Sequence, residues 1–178
     1  LYIKEVKIDG AKELDLDELD KYMALKPRGI LSWFTGSGVL KDEYLERDTN
    51  AIAAFGLSKG FVDIQVSAPD VEYRDDGIYI TFLVSEGKRY KVRDVKFGGD
   101  VIDSEENMLK QVQMDDWRDD EGYFSVTVMQ EDSKRLTNFY ADQGYAFAEV
   151  DTRILKVDGE EPLVDVGYQV NKKQKVFI

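Results

Sequence analysis

The sequence predicts an α+β fold made of two tandem copies of one βααββ module. Three observations predict it. The chain repeats itself once, at a spacing of about ninety residues. Each copy shows strand-like period two, then helix-like spacing, then period two again. The copies meet near residues 90–92 without a Gly/Ser or Pro linker, so one closing strand runs almost directly into the next opening strand.

Three pairs of segments carry the repeat. YIKEVKIDG (residues 2–10) returns as KVRDVKFGG (91–99), with Ile3, Val6, Ile8 and Gly10 matching Val92, Val95, Phe97 and Gly99 at an offset of 89. FGLSKGFVDIQV (55–66) returns as FYADQGYAFAEV (139–150), with Gly60 matching Gly144 and Phe61 matching Tyr145 at an offset of 84. ITFLVSEGKRYKV (80–92) corresponds to VDVGYQVNKKQKVFI (164–178). The order is kept across all three. The expected domains are therefore residues 1–91 and 92–178, each near the lower size at which a domain holds its own core.

In the first copy, Ile3, Val6 and Ile8 alternate imperfectly with charged residues and predict an opening strand that Gly10 ends. Asp15 or Asp17 caps a short helix through about Leu25, with Leu16, Leu19, Tyr22 and Met23 on one face. Pro27 and Gly29 stop it. A second helix starts near Lys41 or Asp42, carries Leu45, Ile52 and Phe55 at helical spacing, and ends at Gly60. Residues 61–73 read as a strand, because Val62, Ile64 and Val66 alternate with Asp63 and Gln65. A turn at 74–77 with an Asp-Gly signal leads to a strand carrying Ile78, Ile80, Phe82 and Val84, apolar enough to be central in its sheet.

The second copy repeats the order. Residues 91–97 open it. Ser104 starts a short helix with Met108, Leu109 and Val112. The acidic run 115–121 reads as a solvated loop; its oxygens suggest calcium, but the spacing does not match a twelve-residue EF-hand loop. A long helix spans about 125–143, with Val128, Asp132, Leu136, Phe139 and Tyr140 along it. Residues 145–155 and 162–170 form a hairpin turning at Val157, Asp158 and Gly159.

Composition narrows the chemistry. The chain has 178 residues, no Cys and no His, which excludes zinc sites built on those residues and Ser-His-Asp or Cys-His nucleophile systems. A net charge of −12 and no basic patch argue against nucleic acid. No apolar run approaches the ~20 residues of a spanning helix. No cofactor motif is present. Acidic pairs abound, but none is singled out as a catalytic pair, so an enzyme is not expected. The chain opens directly on a strand and reads as an excised piece of a longer mature protein.

The stretch LSKGFVDIQV followed by SEGKRYKV, and its counterpart DQGYAFAEV followed by VNKKQKVFI, resemble POTRA repeats of the Omp85 family of outer-membrane proteins. The loop and helix start LSWFTGSGVLKDEYLERD (31–48) resembles middle repeats of the assembly-factor type, and MDDWRDDEGYFSVTVMQEDSKRL (114–136) fits the next repeat along. Lys173 stands where the ending of copy one has Gly87. The resemblance implies a three-stranded mixed sheet with two antiparallel helices on one face, the closing strand central and the strand after the long helix at an edge. It implies a scaffold on the periplasmic face of a Gram-negative outer membrane, continuous with a C-terminal membrane β-barrel absent from this chain. Its partners would be unfolded outer-membrane protein clients and accessory periplasmic lipoproteins. The rival reading is the same region of a translocation-assembly or two-partner secretion transporter.

An edge strand offers unpaired N–H and C=O groups to another strand, and backbone pairing tolerates many client sequences. The candidate docking residues are Val62, Asp63, Ile64, Gln65 and Val66 in copy one, and Ala146, Phe147, Ala148, Glu149 and Val150 in copy two. Trp33 and Phe34, in a Gly/Ser-rich loop, either form a further apolar patch for a partner or fold back over the helices as extra core.

Overall fold

The opening and closing strands of each copy lie side by side in parallel, which places the helices on the crossover between them. A computed structural model describes residues 1–29 and 38–175. It divides into two compact units, Leu1–Lys88 and Arg89–Ile178.

The first unit runs β1 (Ile3–Asp9), α1 (Leu16–Asp20), α2 (Asp42–Ser58), β2 (Gln65–Val66), β3 (Asp70–Arg74) and β4 (Gly77–Ser85). β4 pairs in parallel with β1 on one side, and antiparallel with β2 and β3 on the other. It is the central strand, as its near-continuous apolar pattern predicts. Ile78, Ile80, Phe82 and Val84 point into one core with Ile3, Leu19, Met23, Ile52, Phe55 and Phe61. A fully buried Leu, Ile or Phe stabilises by roughly 1.5–3 kcal/mol, so burial of this face is a large stabilising contribution. On the opposite face Glu5, Lys7, Asp9 and Leu83 are exposed.

The second unit runs β5 (Lys91–Gly99), α3 (Glu105–Leu109), α4 (Met114–Asp120), α5 (Val126–Asp142), β6 (Glu149–Val157) and β7 (Leu163–Asn171). Strand order is β5-β7-β6, with β7 central. Ser104 accepts from the Asn107 N–H and Ser125 from the Val128 N–H, so a serine side chain caps both helix starts. In copy one Asp15 does the same for Glu18.

The imperfect phase of the opening strands has a structural cause. The register slips between Ile3 and Glu5 in β1, and between Val92 and Asp94 in β5. One extra residue in each strand is a β-bulge at the same place in both copies. It lets Ile3 and Val6, three apart, share the core face.

Four expectations are corrected. The short helix of copy one ends at Asp20, not near Leu25, and leaves Leu16 and Tyr22 exposed. The backbone N–H groups of Ala24 and Leu25 are taken instead by the buried Asp48 carboxylate, which draws the chain out of helix. The acidic run of copy two is a helix, α4, with Met114 buried beneath it. Asp115 and Asp116 sit in its first turn, where the helix dipole favours them, and Arg118 in its last turn pairs with Asp115.

The other two corrections concern the post-helix strands. Residues 61–64 and 145–148 are turns, not strands. Gly60 and Gly144 adopt positive φ (97° and 93°), and the next residue donates back into the helix: Phe61 N–H to Gly56 O, Tyr145 N–H to Tyr140 O. A further bond, Ile64 N–H to Phe61 O in copy one and Ala148 N–H to Tyr145 O in copy two, completes the reversal. The period-two reading failed because buried Phe61 and half-buried Ile64 are brought inward by a turn at spacing three.

Candidate functional site: the open sheet edges

Each sheet leaves an edge on the far side of its central strand, and the two edges differ. In copy one the edge is broken. Val66 pairs with Val84 and Asp70 with Thr81, so residues 67–69 face only Phe82 and Leu83. The extra residue is a bulge, and Pro69, which has no N–H to offer, lies in it. What remains is a two-residue and a five-residue piece. In copy two the edge is β6, nine residues paired without interruption from Glu149↔Asn171 to Val157↔Leu163.

β6 presents two rows. Val150, Thr152 and Ile154 are half-buried on the helix side, where Ser133 of α5 donates to the Val150 carbonyl. Glu149, Asp151, Arg153 and Leu155 are exposed on the open face. Charges along an edge discourage indiscriminate pairing. Lys173 pairs with Glu149 at one end of the row.

Of the candidate docking residues, the structure places Gln65, Val66, Glu149 and Val150 in edge strands. Val62 and Asp63 lie in the post-helix turn with Ile64 closing it, as do Ala146 and Phe147 with Ala148. Phe147 is 65% exposed and Ala148 is buried. Trp33 and Phe34 lie outside the described residues.

Behind the edges stand polar anchors that periodicity alone does not single out. Asp48 and Asp132 are fully buried at equivalent points of α2 and α5. Asp132 accepts from the N–H groups of Gln113 and Met114, from the Tyr168 hydroxyl and from Arg135. Burial and the Asp132 carboxylate push the pKa of the Tyr168 phenol well above its ordinary value. Their signal in the sequence was an acid on an apolar helix stripe, recurring at the offset of 84. On the open face of copy two, Asp165 of β7 is gripped by Arg93 and Lys96 of β5. The hydrogen bonds from Arg93 hold its carboxyl below the usual carboxylate range. Among the described residues no group of three or more His, Cys, Asp or Glu is placed to hold a metal ion.

Two tandem sheets, each with helices on one face and an open edge, define a repeat scaffold that presents strand edges. The chain belongs to the POTRA family, described as a surface antigen variable number repeat, whose profile matches residues 1–87 and 90–173. It is 53% identical over all 178 residues to the outer membrane protein assembly factor BamA of Nitratidesulfovibrio vulgaris Hildenborough, and spans 22% of that protein. It is 24% identical over 166 residues to BamA of Neisseria meningitidis serogroup B, covering 88% of this chain and 19% of that protein. The chain thus spans about a fifth of the length of these relatives. Among solved structures, POTRA domains 3–5 of Haemophilus influenzae BamA match with a TM-score of 0.72 at 17% identity, over 98% of this chain and 67% of that one. Haemophilus ducreyi BamA lacking POTRA domains 1–3 matches at 0.68 and 19%, over 96% and 29%. The pair of repeats is of the Omp85–BamA type.

Proposed function

We propose that this chain is part of the periplasmic scaffold of an outer-membrane β-barrel assembly protein, and that it receives extended client or partner segments by strand addition. The observation that carries the docking reading is the unbroken nine-residue edge of β6. Pairing there would use backbone groups, and alternate residues of an antiparallel strand turn theirs outward. The half-buried row Val150, Thr152 and Ile154 would sit beside the inner row of an added strand. The interrupted β2–β3 edge offers a shorter template, with Gln65 and Val66 as its first piece. Membership of the POTRA family and the identity to an assembly factor support this system over a translocation-assembly or secretion transporter. Accessory lipoproteins, and a following membrane barrel in the same polypeptide, belong to the same reading.

The test uses neighbouring prolines. Of Asp151 and Thr152, one directs its N–H into the sheet and the other outward. Proline at the outward position should leave the fold intact, by circular dichroism, and lower the affinity for an unfolded outer-membrane β-barrel protein at least tenfold. Full binding by that folded variant would sink the β6 assignment. Equivalent prolines at Val71 and Glu72 should have a smaller effect.

A further inference from the structure

The open face of the copy-two sheet carries a glycine that its own fold does not call for. Gly167 lies in the middle of β7, the central strand, between Val166 and Tyr168, whose side chains are buried on the helix side. It does not adopt positive φ. Among the described residues, a Cβ there would meet only the Arg153 Cβ at 3.7 Å and the Arg153 carbonyl oxygen at 3.9 Å, which is ordinary contact. Copy one has Thr81 at the equivalent position of β4, so the module accepts a branched side chain at this point. Glycine inside a strand weakens it, and where the backbone does not require it, it marks a place that another group approaches closely. The neighbouring Gly98 differs, because the Gln169 side chain lies across it and a Cβ would stand 2.4 Å from the Gln169 Oε1.

The flanks of the two equivalent positions also differ. In copy one Thr81 stands in register between Lys7 of β1 and Asp70 of β3, a cation and an anion. In copy two Gly167 stands in register between Lys96 of β5 and Arg153 of β6, two cations, both exposed. Lys96 leans toward Asp165 at 3.2 Å, and that carboxylate is held by Arg93 as well. Arg153 has no ion pair among the described residues. Two residues further along β6, Leu155 is 56% exposed. Bare backbone thus lies between two cations, with an apolar side chain at its rim, in a chain of net charge −12.

We propose that this face docks an acidic segment of a partner protein, with one carboxylate entering over Gly167 between Lys96 and Arg153 and a neighbouring apolar side chain resting on Leu155. Charge complementarity selects the occupant. A carboxylate answers both cations with charge-assisted hydrogen bonds, and the arginine offers it a planar fork. The missing Cβ lets it reach the level of the backbone, where the aliphatic stems of the two cations shield it from water. A threonine, as in copy one, would fill that depth. A basic or neutral segment would leave the cations unanswered. The surface is the open face of the sheet and not its edge, so it does not depend on strand addition at β6.

The test is a nuclear magnetic resonance titration of the isotope-labelled 178-residue chain with acetyl-Glu-Leu-amide, a peptide too short to add as a strand. The Gly167 amide and the Arg153 Nε–H should shift. Acetyl-Gln-Leu-amide, which lacks the charge, should bind about threefold more weakly. Gly167→Thr should raise the melting temperature by a few degrees and weaken binding of the acidic peptide about fivefold. Arg153→Gln should weaken it similarly with the melting temperature unchanged. If Gly167→Thr does not fold, Gly167→Ala takes its place with the same directions expected. No shift at about 10 mM peptide, or equal binding of the two peptides, overturns the proposal. So do equal shifts with inorganic phosphate, which would make the face a general anion site. A folded Gly167→Thr chain that binds fully, or a Gly167→Ala chain that melts lower because the glycine serves the fold, overturns it too.

Discussion

The two copies share a scaffold and solve its core differently. At one point of the long helix, copy one has Gly56 and copy two has Tyr140. Facing them after the turn, copy one has Ile64 and copy two has Ala148. The swap moves the large side chain from the turn in copy one to the helix in copy two. A Cβ on Gly56 would stand 2.2 Å from the Ile64 Cδ1. Tyr140 fills the same place in copy two and donates its hydroxyl to the Asp100 carbonyl. A second exchange pairs with the first: Phe82 at the centre of β4 corresponds to Tyr168 of β7, whose hydroxyl reaches Asp132. Copy one packs by shape, and copy two adds polar links. Their surfaces diverge further, with 13 basic and 17 acidic residues in 1–91 against 11 and 19 in 92–178.

The largest effect should come from the buried acids. Asp132→Ala strands two backbone donors and the Tyr168 hydroxyl, takes a carboxylate from Arg135, and should destabilise copy two by about 4 kcal/mol. Asp48→Ala strands the donors of Ala24 and Leu25 and should cost copy one about 2–3 kcal/mol. Hydrogen exchange resolved by copy under urea measures both. Equal losses would mean that the hydroxyl link of copy two adds nothing.

Next comes the volume swap. Gly56→Ala should cost about 1–3 kcal/mol by overpacking against Ile64, despite the better helix propensity of Ala. Adding Ile64→Ala, the copy-two solution, should recover part of that loss in a thermal melt. No recovery would show that the two positions are not coupled.

The smallest effect is in acid. The Asp165 carboxyl titrates below its ordinary range because Arg93 and Lys96 hold its charged form. The unfolded chain therefore binds a proton that the folded one resists. The resulting stability is present above the unfolded value, near pH 4, and is lost as pH falls through the folded value. Asp165→Asn should flatten the acid limb of the stability profile of copy two and leave that of copy one unchanged. A profile with the same acid slope in both chains would assign the acid sensitivity elsewhere.

Much of this fold was legible in the sequence. The duplication, the βααββ order, the centrality of the closing strand and the helix starts near Asp15, Ser104 and Ser125 all follow from residue type and spacing. The docking edges were legible only in outline. Val62, Asp63, Ala146 and Phe147 look like strand because apolar residues alternate there, yet the bonds Phe61 N–H to Gly56 O and Tyr145 N–H to Tyr140 O make them turns. The acidic run 115–121 looked like loop because nothing in it announces Met114 as a core residue.

The sequence by itself determined the module, its repetition and the chemistry it lacks. Those depend on local preferences and on periodicity, which residues carry with them. Only the tertiary structure decided which edge is continuous, because that depends on register against β4 and β7, and one extra residue around Pro69 is enough to break it. Only the tertiary structure showed what Asp48 and Asp132 hold. Each takes two backbone amides, which every residue has, so no pattern of side chains reveals where a buried carboxylate will find them.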